Sequence, residues 1–150
     1  MATCPTWLFL YGTLVAGSDN PEAKWLHRLL EPGIAATTTG RLYAIPDSRG
    51  WYPGLVTGAG GPLVRGWLHR LRTEFDVAAL ARLDRYEGFD PANPDGSEYV
   101  RATLTVSAEG RAGIASAYLW RGNAADSGAA IIASGDFAEF LRRSGAKGFR

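Results

Sequence analysis

The chain has 150 residues, 46% of them hydrophobic, with 16 Lys plus Arg against 15 Asp plus Glu and a formal charge of +1. That length and core content predict one globular domain, 1–150. A near-neutral chain with 21% charged residues lacks the basic footprint that a phosphate backbone attracts, which argues against a nucleic-acid partner. The single cysteine, Cys4, can form neither an intrachain disulfide nor a structural zinc site alone, and a reducing cytoplasm fits it best. No apolar run approaches the ~18 residues of a membrane span, and the N-terminus lacks signal-peptide order, so a soluble protein with no membrane partner is expected. Glycine is in excess, at 19 residues. Many backbone positions must therefore turn sharply or approach a neighbour closely.

Trp7 to Leu14, WLFLYGTL, reads as a buried first strand running into a tight turn. Asn20 is a candidate N-cap for a helix opened by Pro21, with Glu22 in its first turn. Trp25, Leu26, Leu29 and Leu30 share one face of it, and Pro32-Gly33 ends it. Strand patterns follow at Thr37–Thr39, Arg41–Ile45, Trp51–Thr57 and Leu63–Leu71, separated by turn-rich 46–50 and 58–62, and an antiparallel meander is expected. Helical spacing returns from Glu74 to Tyr86 with Gly88 as its stop, and the Pro- and Asp-rich stretch 90–96 reads as a surface loop. Strands at 98–106 and 112–120 flank a Glu109-Gly110 hairpin signal. After a loop at 121–128, Ser134-Gly135-Asp136 caps a last helix, Phe137 to Arg143, that should bury Phe137, Phe140 and Leu141. About six strands adjacent in sequence, with three short helices and many glycines, indicate an α+β fold: a strongly curved sheet or a small, mixed, partly closed β-barrel with short helices packed around it.

The only histidines, His27 and His69, stand at no metal-ligand spacing from each other, and no Cys pair or His-Glu-x-x-His run accompanies them, so no metal site is expected. Both read as surface or hydrogen-bonded histidines. The cluster Gly58-Ala59-Gly60-Gly61 lacks the ends of a dinucleotide or phosphate loop and joins strand to strand.

One acidic residue departs from the local rules. On a helix from Glu74 to Glu87, Glu87 falls about 20° from Leu80, flanked by Leu83 and Val77, on the apolar stripe. It also occupies the last turn, where the helix dipole opposes negative charge. An inward carboxyl there should have a raised pKa, which suits a group that takes and returns a proton near neutrality. The alternatives are a side chain that swings out past Gly88, or one that pairs with an arginine such as Arg101. Tyr11-Gly12-Thr13-Leu14 is a second candidate, because successive amides at the mouth of a sheet can hold a carboxylate or an oxyanion.

Leu8-Phe9-Leu10-Tyr11-Gly12-Thr13-Leu14, Gly40-Arg41-Leu42-Tyr43, Tyr52-Pro53-Gly54-Leu55-Val56, Val64-Arg65-Gly66-Trp67-Leu68, Leu83-Asp84-Arg85-Tyr86-Glu87-Gly88, Tyr99-Val100-Arg101 and Ala117-Tyr118-Leu119-Trp120 occur in one order. Together these segments, over nearly the whole chain, resemble the gamma-glutamylcyclotransferase-like family. The resemblance implies a small mixed barrel and a cavity with Glu87 as general acid/base. It implies that Tyr11, Gly12, Thr13 and Leu14 supply backbone amides and a Thr hydroxyl to the substrate, and that Tyr99 lines the pocket. The reaction so implied is cofactor-independent release of 5-oxoproline from a small γ-glutamyl substrate by intramolecular aminolysis. A cavity that binds such a metabolite without turnover is the alternative. The chain departs from eukaryotic members, which often carry Ser at the place of Thr13, and in the insert 90–96.

Overall fold

A computed structural model describes residues 4–145. Its strands are β1 (Trp7–Leu10), β2 (Ile34–Asp47), β3 (Gly50–Thr57), β4 (Leu63–Arg70), β5 (Tyr99–Ala108), β6 (Arg111–Trp120) and β7 (Ala130–Ile131). The helices are α1 (Pro21–His27), α2 (Val77–Tyr86), α3 (Ala124–Ser127) and α4 (Phe137–Ser144), with a 3-10 turn at Pro94–Gly96. The expected α+β architecture is present: β2, β4, β1, β6 and β5 pair in that order, and β5 returns to β2 to close a five-stranded barrel. The closing seam is two residue pairs long, Ala36↔Ala108 and Thr37↔Ser107. One junction is parallel, β1 beside β6 at Leu8↔Ser116, and this makes the barrel mixed.

The meander expected between 37 and 71 is not what forms. Thr37–Thr39 and Arg41–Ile45 belong to one 14-residue strand, β2, whose two halves have different partners. Ile34 to Thr39 pairs with β4, while Gly40 to Asp47 pairs with β3, so β2 lies between the two strands that follow it. β3 thereby leaves the barrel wall and rises over its mouth as a hairpin with the second half of β2.

Alternation sorts the strands between two cores. Phe9 and Tyr11 of the first segment join Leu42, Leu55, Val64, Leu104 and Val106 in one cluster. Leu8 and Leu10 face the other way, against Leu26 and Leu30 of the α1 region and Leu80 and Leu83 of α2. Each such buried leucine contributes roughly 2 kcal/mol of transfer free energy, enough to hold both helices on the barrel wall. Phe137 is buried as expected, whereas Phe140 and Leu141 are only partly covered.

Helix boundaries are shorter than periodicity suggested. α1 is capped by Asn20, whose side chain accepts from the amides of Glu22 and Ala23, but it stops at His27. From there the chain turns so that Leu30 can bridge Leu71. α2 begins at Val77 rather than Glu74, because Asp76 is its N-cap and accepts from the Ala79 amide at 2.8 Å. Val77 is exposed, and the buried stripe is Ala79, Leu80, Leu83 and Asp84.

Candidate active site

The end of α2 is locked by its own backbone. Gly88 has φ +72°, a conformation that a side chain disfavours, and two reverse bonds follow: Gly88 N to Arg85 O at 3.1 Å and Phe89 N to Asp84 O at 2.9 Å. This is a Schellman closure, and it leaves Glu87 at the C-cap with φ −78°. The Glu87 side chain therefore leaves the helix on its buried stripe and enters a cavity of about 230 Å³. The walls of that cavity are the Tyr11–Leu14 turn, the β2–β3 hairpin, the end of α2 and the start of β5. Glu87, Tyr11, Gly12, Thr13, Leu14 and Tyr99, all six residues singled out in the sequence, line it.

Glu87 has no hydrogen-bond or ion-pair partner among the described residues. Burial, then the negative charges of Glu98 and Asp84, push its carboxyl up from 4.5 to about 8. Arg101, the cation that could have neutralised it, is committed elsewhere: its Nε and Nη2 donate to the two Asp84 carboxylate oxygens at 2.9 and 3.3 Å. The Tyr118 hydroxyl donates to Asp84 Oδ1 at 2.6 Å as well. Neither alternative raised for Glu87, escape to solvent or pairing with Arg101, is realised.

Opposite Glu87, β1 ends at Leu10 and the chain turns. The amides of Gly12, Thr13 and Leu14 have no acceptor among the described residues, and all three residues line the cavity. Gly12 is needed there for a close approach to Pro53 rather than for a left-handed backbone, since its φ is not positive. The Leu14 carbonyl is held from behind by His27 Nε2 at 2.7 Å. His27 in turn meets His69 edge to face, ring centroids 5.0 Å apart, and His69 Nδ1 lies 2.8 Å from the Glu31 carbonyl. Each histidine has one hydrogen-bonded ring nitrogen, but His69 is 1% exposed and its Nε2 has no partner among the described residues, so it is neither the surface nor the fully hydrogen-bonded histidine expected. No group of three or more metal-ligating side chains occurs among the described residues, and no helix there is long and apolar enough to cross a membrane.

Tyr99 and Tyr11 form walls rather than reactive groups, because both hydroxyls are used by the scaffold. Tyr99 donates to the Pro53 carbonyl, and Tyr11 donates to the Tyr118 carbonyl while accepting from the Leu55 amide. Burial raises both phenols further out of the titrating range. Sequence reasoning missed Asp84, Tyr86, Glu98 and Tyr52. Asp84 was accessible to the argument used for Glu87, being one turn earlier on the same stripe. Glu98 and Tyr52, joined at 2.7 Å across 46 positions, carry no local signal.

A family model described as "Gamma-glutamyl cyclotransferase, AIG2-like" matches residues 8–139. No curated protein matches the chain in sequence. Among solved structures, the chain is similar to YkqA from Bacillus subtilis (21% identity, TM-score 0.65), covering 95% of this chain and 43% of that one. It is also similar to an AIG2-like protein from Mus musculus (20% identity, TM-score 0.55, 83% of each chain). A uropathogenic E. coli-specific protein, c4763, is a third (20% identity, TM-score 0.58, 95% and 98% covered). The chain thus spans less than half the length of the Bacillus protein, and at these identities the likeness is one of fold.

Proposed function

The chain belongs to the gamma-glutamyl cyclotransferase, AIG2-like family, and from that premise we propose that it is a cyclotransferase releasing 5-oxoproline from a γ-glutamyl amine, peptide or metabolite. The observation that supports this most directly is a partnerless carboxyl raised to about 8 across a small cavity from three unpartnered amides. Raised this far, the Glu87 carboxylate is a stronger base than an ordinary one, so it takes a proton from the substrate's α-ammonium at a lower free-energy cost.

In the proposed reaction the substrate's α-nitrogen attacks its own γ-carbonyl carbon. A new C–N bond closes the five-membered ring, negative charge develops on the carbonyl oxygen, and the bond to the departing nitrogen then breaks. Glu87 takes the proton lost by the attacking nitrogen and returns it to the leaving one, so atoms and charge balance without a redox step. The Gly12–Leu14 amides are donors for the substrate's anionic oxygens. Holding the glutamyl chain folded on itself recovers several kcal/mol of the barrier, up to roughly 7–11 for well-oriented intramolecular reactions.

The test is to incubate the protein with γ-glutamyl-lysine, γ-glutamyl dipeptides and γ-glutamyl amines and to score 5-oxoproline by mass spectrometry. Release by the native protein and its loss in Glu87→Gln are expected. Binding without product across the panel would replace the enzyme by a metabolite-binding module.

A further inference from the structure

Behind the cavity lies a buried polar chain that the mechanism above does not use. Asn20 is 2% exposed, and its Oδ1 accepts the Glu22 amide at 2.8 Å as the cap of α1. That bond fixes which end of the side-chain amide is which, because the flipped form would set one N–H group against another. The Asn20 Nδ2 must then be the donor to the Tyr86 hydroxyl oxygen, 2.7 Å away. Tyr86 lines the cavity, and its own hydroxyl proton has no acceptor among the described residues.

We propose that Asn20 is a positioning residue that makes the Tyr86 hydroxyl an obligate hydrogen-bond donor toward the substrate. The proton count carries this. The Tyr86 hydroxyl brings one proton, and Asn20 Nδ2 cannot accept it because it is itself donating. That proton is therefore left to point into the cavity, beside the unpartnered amides of Gly12, Thr13 and Leu14. Such a rim selects an anionic oxygen and rejects a donor such as an ammonium or an amide N–H. Resting on the proposed function, this gives the substrate's α-carboxylate a donor at Tyr86 and directs its α-amine away from that hydroxyl, toward Glu87.

Asn20→Asp separates this from a merely structural role. Aspartate caps α1 as well as asparagine does, but it can only accept from Tyr86, which reverses the chain and draws the spare proton away from the cavity. The expected result is a melting temperature near that of the native protein with KM for a γ-glutamyl substrate raised about tenfold or more, and kcat changed less. In a Tyr86→Phe background the same substitution should have no further effect on KM. An unchanged KM in Asn20→Asp, or an equal loss with and without the Tyr86 hydroxyl, would overturn the proposal. If the native protein releases no 5-oxoproline, that counts against the function and not the relay. Neutron diffraction from a deuterium-exchanged crystal then decides: a Tyr86 deuteron aimed at Asn20 overturns it, and a Tyr86 deuteron aimed into the cavity supports it.

Discussion

Gly12 and Pro53 meet so closely that a Cβ on Gly12 would lie 2.3 Å from Pro53 Cγ. Pro53 is itself anchored, since its carbonyl accepts the Tyr99 hydroxyl. The hairpin over the barrel mouth and the Gly12–Leu14 amides are therefore one rigid unit, and their spacing from Glu87 depends on the missing side chain. Gly12→Ala should shift the turn and lower kcat/KM about 100-fold, with overpacking costing roughly 1–3 kcal/mol of stability. Pro53→Ala in the same chain removes the clashing Cγ and leaves only the Cβ, 3.6 Å away, so it should recover part of both losses. Steady-state kinetics and melting curves of the two variants check this; turnover by Gly12→Ala within a few-fold of native would show that the amides do not depend on the contact.

Glu87 should make the protein less stable in alkali. Its folded-state pKa, about 8, lies above the ordinary 4.5, so below pH 4.5 the carboxyl is neutral in both states and costs nothing differential. Between pH 4.5 and 8 the unfolded chain releases the proton while the folded one retains it, and stability falls as pH rises through that window. Above 8 the folded protein carries the ion and the penalty is complete, on the order of a few kcal/mol. Glu87→Gln should thus melt close to the native protein at pH 4.5 and clearly above it at pH 9. Equal melting temperatures at pH 9 would mean that the carboxyl is not desolvated.

How much of this was readable in the chain varies with the range of the interaction. Glu87 stood out because two local rules, apolar periodicity and helix polarity, conflict at one position, and the Gly88 closure that points it inward is equally local. Asp84 was within reach of the same reasoning. Tyr11 to Leu14 was marked by its amide turn, but a Gly-Thr turn alone has little specificity, and family resemblance gave that segment its role and Tyr99 its place in the site. The barrel's closing seam was not legible: two residue pairs of β2 and β5, Ala36↔Ala108 and Thr37↔Ser107, are 72 and 70 positions apart and leave no pattern in either strand. Nor was the splitting of β2 between two partners, because periodicity describes a strand's faces and says nothing of its neighbours. The Asn20–Tyr86 contact spans 66 positions, and only half of it, the cap, has a sequence signature.

Glu98 stands at the cavity rim, accepts a hydrogen bond from the Tyr52 hydroxyl at 2.7 Å, and is the charge that pushes the Glu87 pKa up most after burial itself. Glu98→Gln keeps an acceptor for Tyr52 and removes the charge. The Glu87 pKa should fall, so the acid limb of kcat/KM, which reports the free enzyme, should move to lower pH and activity at pH 6 should rise. The substrate's own amine titration is common to both proteins and cancels in the comparison. A limb that stays in place or moves upward would remove Glu98 from the control of Glu87.

Asp84 has a different task, which is to keep Arg101 away from Glu87. Buried to 4% exposure, it takes two bonds from the guanidinium and one from Tyr118. Asp84→Ala strands a partly buried cation and a buried hydroxyl, at a cost of roughly 3 kcal/mol. The carboxyls left around the cavity for the freed Arg101 include Glu87, which already feels the charge of Asp84. Pairing there would hold Glu87 ionised and make it a weaker base, so the acid limb should fall together with kcat. Adding Arg101→Met removes the stranded charge and fills its volume. The double variant should then regain most of the lost stability and part of kcat, with the Glu87 limb returning toward higher pH. If the double variant is no more stable or active than Asp84→Ala alone, Asp84 acts on Glu87 by its own charge and not by sequestering Arg101.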